Sequence, residues 1–141
     1  MPVRQRFLIV ALLAAVSLGW AGPAAADADA DIRAVIVDQV DAISAGDGAR
    51  AFGYASPGVQ DRFGSSETFM FMVEQGYGAL VRPRAFEVEE VRQDGDRAAA
   101  RARVVARDGR LYQAFYPLRR QPDGRWRIEG CQLKEAPGRA L

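Results

Sequence analysis

The sequence contains no histidine and a single cysteine, Cys131, among its 141 residues. The absence of histidine removes the usual general base, the usual member of a nucleophilic triad and the commonest metal ligand. One cysteine cannot close an internal disulfide, and nothing near it in the sequence predicts an activated thiol. We therefore interpret Cys131 as a small buried side chain, with an intermolecular disulfide or a redox thiol as the alternative.

A strong excess of charge is also missing, since the formal net charge of the whole chain is +1. A near-neutral chain gives no support for binding to nucleic acid or to an anionic membrane surface. The sequence also lacks a glycine-rich phosphate loop, a metal-ligand cluster and a nucleophile elbow. It therefore predicts no cofactor, no metal and no nucleic-acid partner.

The N-terminus has the three parts of a secretion signal. Arg4 and Arg6 form a basic start, an apolar run covers 7–19, and Ala24-Ala25-Ala26 supplies small residues for cleavage. The apolar run is too short to cross a bilayer comfortably. We predict a cleavable signal peptide over 1–26, a periplasmic or secreted location, and no membrane span after cleavage. An uncleaved N-terminal anchor or a plain apolar helix is the alternative.

The rest of the chain, 27–141, is long enough for one domain with one core. Apolar residues at helical spacing predict a first amphipathic helix: Ile32, Val35, Ile36, Val40 and Ile43. Asp29 or Asp31 is a candidate N-cap for it, and Asp47 and Ser65 are candidates for two later helices. A second stripe follows Ser65 and is interpreted as core packing rather than as a ligand surface: Phe69, Met72, Val73 and Tyr77.

Four short strands are predicted between Phe86 and Leu133. Tight-turn residues separate them at Asp94-Gly95-Asp96, Asp108-Gly109 and Pro122-Asp123-Gly124. Three consecutive hairpins give a four-stranded antiparallel meander. Helices followed by such a sheet indicate an α+β fold, in which the helices cover the inner face of a curved sheet and form a cone.

The lengths of the turns decide which side chains face the helices, because side chains alternate along a strand. A three-residue loop at 94–96 pairs acids with arginines on one face and apolar residues on the other, whereas a two-residue loop mismatches both faces. A two-residue loop at 108–109 continues the apolar face into the third strand. Glu90 and Gln113 then face inward. The outer face carries an apolar group: Tyr112, Tyr116 and Leu118.

Two further features of the sheet bear on function. The inward residues of the second strand are nearly all alanine, so the helices either approach closely or leave a hollow. Gly130 can host a β-bulge that returns Cys131 and Leu133 to the core. Without a bulge, these two side chains would join Tyr112 and Tyr116 in an exposed apolar patch.

Several stretches resemble a family of small exported bacterial domains of unknown function, DUF4864. They are Phe52–Gln60, Phe63-Gly64, Phe69-Met70 through Gly76-Tyr77, Arg82-Pro83-Arg84 and Gln121–Cys131. Together they span most of 31–137. The order of helices and strands also resembles the NTF2-like, cystatin-like superfold. This resemblance implies a helix-backed curved sheet, often dimeric and sometimes with a conical pocket, and it implies no activity.

A small group of residues is predicted to line a pocket in the cone. Glu90 and Gln113 would come from the sheet, and Tyr54 and Tyr77 would reach the same space from the helices. Arg82 and Arg84 flank Pro83 at the junction of helix and sheet, where they would bind an anionic group at the mouth. The simpler interpretation places Glu90 in water at the sheet edge and pairs the arginines with surface acids.

We favour non-catalytic binding, either of a small apolar ligand in the cone or of a protein partner on the sheet. One alternative is an NTF2-like isomerase or dehydratase that uses Glu90 as its base. Another is a structural homodimer that is held together through the outer sheet face and has no pocket. Tyr112, Tyr116 and Leu118 are the residues that suggest this interface.

Overall fold

Four helices precede an antiparallel sheet of five strands in the computed structural model, which describes residues 22–140. The helices are α1 (Pro23–Ser44), α2 (Gly48–Gly53), α3 (Pro57–Phe63) and α4 (Ser66–Gly76), followed by a 3₁₀ turn at Gly78–Leu80. The strands are β1 (Ala85–Asp94), β2 (Arg97–Val105), β3 (Arg110–Arg120), β4 (Trp126–Ile128) and β5 (Gln132–Arg139). The predicted α+β architecture, with helices on a curved sheet, is confirmed. Most of the predicted signal peptide, 1–21, lies outside the described residues.

Helix α1 lies across the sheet through its predicted apolar stripe. Ile32 and Ile36 are completely buried, and Val40 is nearly so. The helix begins earlier than expected, at Pro23, because a proline in the first turn has a helical φ and loses no hydrogen bond there. The expectation that Asp29 or Asp31 caps it is therefore wrong. Asp29 instead accepts a hydrogen bond from the guanidinium of Arg33, one turn later, at 2.6 Å.

The later helices begin at side-chain caps. Asp47 accepts a hydrogen bond from the Arg50 amide at 3.1 Å, and Ser65 accepts one from the Thr68 amide at 3.2 Å. Both caps are those predicted from the sequence. Each satisfies an amide that has no partner within its helix, which fixes where the helix begins. Among the described helices, none is long and apolar enough to cross a membrane.

Strands β1 and β2 pair as predicted only over their first half. Phe86 lies opposite Val104 and Val88 opposite Ala102, but a β-bulge at Glu89 then places Glu90 opposite Arg101. The turn beyond has two residues rather than three, because Asp94 pairs directly with Arg97. Gly95 supplies the positive φ, +60°, that such a tight turn requires. The predicted register is therefore wrong beyond the bulge, and the predicted inward position of Glu90 is wrong with it.

Strand β3 is shifted by one residue relative to the predicted pairing. Ala106 does not pair with Leu111. Its amide donates to the Arg110 carbonyl at 2.9 Å, so the loop has three residues, 107–109. Gly109 ends this loop with a φ of +85°. The shift turns every β3 side chain to the opposite face. Contrary to prediction, Tyr112, Tyr116 and Leu118 face the helices, and Gln113 faces outward.

Strands β4 and β5 both pair with β3, one after the other. Ile128 lies opposite Leu118, and Gln132 lies opposite Phe115. The stretch 128–132 therefore contains one residue more than the stretch of β3 that it faces, 115–118. This extra residue agrees with the bulge expected at Gly130, and Cys131 and Leu133 pack against the core. The sheet is longer than predicted, because β5 continues to Arg139.

The core between α1 and the sheet is filled. Ala100 and Ala102 of β2 are buried in the core cluster that also contains Ile32 and Ile36 of α1. Tyr116, which is 1 % exposed, occupies the remaining space from β3. Among the described residues, buried side chains therefore fill the space against this part of the sheet, where a hollow was the alternative. A second cluster of buried residues joins α1, α2 and α4: Ala42, Ile43, Ala51, Phe69 and Val73.

Candidate functional site

The predicted pocket residues do not converge. Glu90 lies on the outer face, where the Arg92 guanidinium contacts it at 2.5 Å and that of Arg101 at 3.4 Å. The hydrogen bond from Arg92 is the main cause that lowers the pKa of Glu90 below its ordinary value. A general base in a closed pocket has the opposite environment, apolar and without cationic partners. The geometry therefore does not place Glu90 where an NTF2-like isomerase would need it.

The other predicted residues lie at four separate places. Gln113 faces outward, and the Tyr54 hydroxyl donates to the Asp38 carboxylate at 3.5 Å beside a surface groove. Arg82 and Arg84 border a different groove, at the start of β1. Arg82 has a φ of +50°, and its amide donates to the Ser44 hydroxyl at 3.0 Å. Of the six predicted ligand-binding residues, only Tyr77 borders the cavity described next.

A cavity of about 160 Å³ lies between α1, α3, α4 and the connection from β4 to β5. Most of its wall is apolar or aromatic: Ile43, Ala55, Val59, Phe63, Phe69, Met72, Val73, Leu80 and Ile128. Tyr77, Gly130 and Cys131 complete it on the side of the sheet. Cavities of this size and lining hold molecules about as large as benzene.

The local folding of the helices explains why the cavity exists. Helix α3 ends at Gly64, whose φ of +76° turns the chain sharply into α4. Phe63 and Phe69 then meet edge to face across that turn, with ring centroids 5.9 Å apart. On the other side, the Ser56 amide donates to the Ile128 carbonyl at 2.8 Å and ties the start of α3 to β4. Helix α4 packs on α1 through Phe69 and Val73, and the space that remains between α1, α3 and the end of β4 is only partly filled.

Gln39 is the buried polar side chain in this wall. It is 5 % exposed and lies on the face of α1 that carries Ile36 and Ile43. Its amide nitrogen donates to the Ala51 carbonyl at 3.2 Å, which links α1 to α2. No residue that the structure describes donates a hydrogen bond to its amide oxygen.

The charged side chains of the wall border its open side. Arg62 is exposed, and Glu129 is half-buried. Glu129 accepts a hydrogen bond from the Arg119 guanidinium at 2.9 Å, which balances its charge. No carboxylate in this wall therefore stands in the apolar, unpaired environment that would suit a catalytic acid or base.

The half-buried Cys131 and the buried Tyr116 lie beside each other at the sheet side of the cavity. Burial raises the pKa of the Cys131 thiol to about 11, and the Tyr116 hydroxyl beside it partly offsets that effect. Burial also raises the pKa of Tyr116 well above its ordinary value. The Tyr116 hydroxyl has no hydrogen-bond partner within the described part of the chain. The Tyr77 hydroxyl, in contrast, donates to the Cys131 carbonyl at 2.9 Å.

Sequence reasoning found part of this cavity and missed the rest. The stripe of Phe69, Met72, Val73 and Tyr77 was interpreted as core packing, and these side chains form both core and cavity wall. Gln39 was missed. A signal for it exists, because a glutamine three residues after Ile36 lies on the apolar face of α1.

Comparison with known proteins gives a family and a fold. The family model DUF4864, a domain of unknown function, matches residues 25–141. Among solved structures, an NTF-2 like protein of unknown function from Silicibacter pomeroyi DSS-3 has 20% identity and a TM-score of 0.57, covering 79% of this chain and 98% of that one. An NTF2-like protein of unknown function from Shewanella baltica OS155 has 11% identity and a TM-score of 0.56, covering 80% and 97%. Comparison with curated protein sequences gives no match. Likeness at these identities shows the fold alone.

Proposed function

Because the chain belongs to the DUF4864 family, a domain of unknown function with an NTF2-like α+β fold, we propose a function from its own cavity. The protein binds a small, mainly apolar ligand reversibly and without chemical conversion. No specific activity is established for the family or for the structural relatives described above.

The observation that carries this proposal is the lining of the cavity. An apolar space of about 160 Å³ lies between elements that are otherwise well packed, and aromatic and Met side chains form much of its wall. Binding pockets are typically concave and apolar, with a few polar groups that orient the ligand. Transfer of an apolar molecule from water into such a space is favourable, by about 25 cal/mol for each Å² of apolar surface that is buried.

The enzyme alternative receives less support from the same geometry. Glu90, its predicted base, is paired with two arginines on the far face of the sheet. We expect Glu90→Gln to leave ligand binding unchanged, since that carboxylate is remote from the cavity wall.

A homodimer through the outer sheet face stays a prediction, without the three residues that suggested it. Tyr112, Tyr116 and Leu118 pack inside the protein. The outer face carries Phe115 instead, with the Lys134 ammonium 5.7 Å from its ring centroid. Phe115 is half-buried and is partly covered by a cation, which reduces its value as an anchor for a second copy.

Export with removal of 1–26 also belongs to this proposal. The basic start, the apolar run and the alanines before Asp27 support it. The ligand would then be one that is met in the cell envelope or outside the cell. Determination of the N-terminal residue of the protein recovered from its own cells tests this part, and a chain that still begins at Met1 would contradict it.

The binding proposal is tested by filling the cavity. Val59, which is buried in α3 and lines the wall, is replaced in Val59→Phe, and the exposed Val37 is replaced in the matched control Val37→Phe. We expect toluene to raise the unfolding temperature of the natural protein and of Val37→Phe, because a ligand that binds the folded state stabilises it. We expect no such increase for Val59→Phe.

A direct measurement covers the case in which Val59→Phe fails to fold. Native mass spectrometry of the protein purified from its own cell envelope reports a retained small molecule, and NMR titration with toluene or indole reports occupancy of the cavity. Chemical-shift changes should concentrate on Val59, Met72 and Tyr77. If none of these probes shifts those signals and no molecule is retained, the proposal is wrong.

A further inference from the structure

Gln39 brings a hydrogen-bonding group into a space that is otherwise apolar. Gln39 is only 5 % exposed, and it borders the cavity. The amide nitrogen is held by the Ala51 carbonyl, at 3.2 Å, which fixes the orientation of the amide group. The amide oxygen is therefore presented in a defined direction, and no described residue donates to it.

The amide oxygen of Gln39 reaches the open space of the cavity. The Tyr116 hydroxyl is the side-chain atom in the described part of the chain that is fully enclosed and has no partner. Water can therefore donate to the Gln39 oxygen when no ligand is bound. A ligand that fills the cavity displaces this water, and a ligand without a donor then leaves the oxygen buried and unpaired, at a cost of about 1–3 kcal/mol.

We propose that the ligand of this cavity is a small, mainly apolar molecule that carries a hydroxyl group, and that the hydroxyl donates to the amide oxygen of Gln39. This inference rests on the proposed binding function and names the chemical class that the cavity selects. The cavity volume, about 160 Å³, limits the ligand to about the size of a substituted benzene ring.

A hydroxyl suits this position better than a carbonyl or an ether. The oxygen of Gln39 needs a donor, and a carbonyl or ether has none to offer. A hydroxyl also accepts, so it can in addition receive the second hydrogen of the Gln39 amide. The other polar groups of the wall are less suited to this task. The Tyr77 hydroxyl already donates to the Cys131 carbonyl, and the Glu129 carboxylate is paired with Arg119.

The apolar remainder of the wall makes the hydrogen bond selective. A site that hydrogen-bonds a hydroxyl discriminates against a ligand that lacks it, because the buried polar group is then left unpaired. The contribution of one such bond is modest, and it corresponds to a preference of roughly threefold to tenfold.

The test compares phenol, toluene and anisole, which share a ring but differ in the donor. Dissociation constants are measured by NMR titration or calorimetry for the natural protein, for Gln39→Met and for the control Gln113→Met on the outer face. We expect the ratio of the phenol constant to the toluene constant to rise roughly threefold to tenfold in Gln39→Met, and to stay unchanged in Gln113→Met. Anisole should show no comparable change, because it cannot donate.

The outcomes separate this inference from the binding proposal. If toluene binds but the phenol-to-toluene ratio is the same with and without Gln39, the hydroxyl inference is wrong and apolar binding stands. If neither compound binds, both are wrong. If Gln39→Met does not fold, the inference is tested by the NMR signal of the Gln39 side-chain amide in the natural protein. Phenol must shift it strongly and toluene weakly, and equal shifts overturn the inference.

Discussion

At the scale of single residues, Cys131 has an environment that keeps its thiol protonated. It lies in the cavity wall beside Tyr116, and burial raises its pKa from 9.0 to about 11. The thiolate, not the thiol, is the reactive form, so a neutral buried cysteine behaves as a small apolar residue. This supports the interpretation of Cys131 as part of the packing and argues against a redox role for the thiol.

The reactivity of Cys131 tests that environment. At pH 8, a thiol with a pKa of about 11 is ionised roughly 100-fold less than one with a pKa of 9.0. We expect the folded protein to react with iodoacetamide at least about 100-fold more slowly than the chain unfolded in urea, with a rate that continues to rise above pH 10. Because Cys131 is the single cysteine, no other thiol contributes. A folded-state profile that levels off near pH 9 would contradict the assignment.

The same pKa has a consequence for stability. The thiol is protonated in both states below pH 9, so its contribution is complete there. Between about pH 9 and pH 11 the unfolded chain ionises while the folded thiol does not, and the folded state is progressively destabilised relative to the unfolded one. The loss of stability at alkaline pH should therefore be smaller in Cys131→Ala than in the natural protein.

At the scale of elements, the register of the sheet depends on two turns and one bulge. The extra residue at Glu89 lets β1 pair correctly with β2 on both sides of the bulge. It also sends the Glu90 carboxylate toward Arg101 on the outer face. Without the bulge, Glu90 would face inward. With the bulge, it lies on the outer face and forms the observed ion pair.

Deletion of single residues tests this register. Removal of Glu89 takes away the unpaired residue and leaves the pairs on either side intact, so we expect the protein to keep its fold and most of its stability. Removal of Arg103 is the matched control, because that residue is paired with both Glu87 and Gln113. Its loss shifts half of β2 by one residue and turns Ala98, Ala100 and Ala102 out of the core. We expect this variant to be unfolded by circular dichroism, and equal stability of the two deletions would refute the argument.

The comparison with the sequence shows which features alternation can predict. The predicted pairing of Phe86 with Val104 and of Val88 with Ala102 is confirmed. The charge pairs on one face and the apolar pairs on the other indicated the same register there. Beyond that point, Glu89 and Glu90 are chemically alike, so nothing in the pattern marks which of them is the extra residue. At the second turn, Gly109 can supply the positive φ in a loop of either two or three residues, so the pattern does not decide the length of the loop. A slip of one residue then reverses β3, and the predicted outer patch lies inside.

The cavity was less predictable than the sheet. Its wall comes from α1, α3, α4 and the connection after β4, and no local pattern specifies the distance between them. Only Tyr77 of the predicted ligand residues borders it. Gln39 carried a detectable signal, as a polar residue within an apolar stripe, but a signal of that kind identifies a buried polar group and not the space beside it.

At the scale of the whole molecule, α1 is the element that joins sheet and helices. It packs on the sheet through Ile32 and Ile36, and it borders the cavity through Gln39 and Ile43. Its first turns differ from the rest, since residues 24–27 are exposed. The core of the domain therefore needs little of the helix that precedes Ala28.

The start of the domain can be located by truncation. A chain that begins at Asp27 loses residues 22–26, of which 24–26 are exposed, so we expect it to match a chain that begins at Gly22 in its urea unfolding midpoint. A chain that begins at Ala34 also loses Ile32, which is completely buried, and the hydrogen bond from Arg33 to the Val88 carbonyl. Removal of a buried isoleucine side chain costs about 2–5 kcal/mol. The Ala34 chain should therefore unfold at a clearly lower urea concentration. If the Asp27 chain is destabilised equally, the first turn of α1 is part of the domain, and cleavage after Ala26 would damage the fold that it is proposed to release.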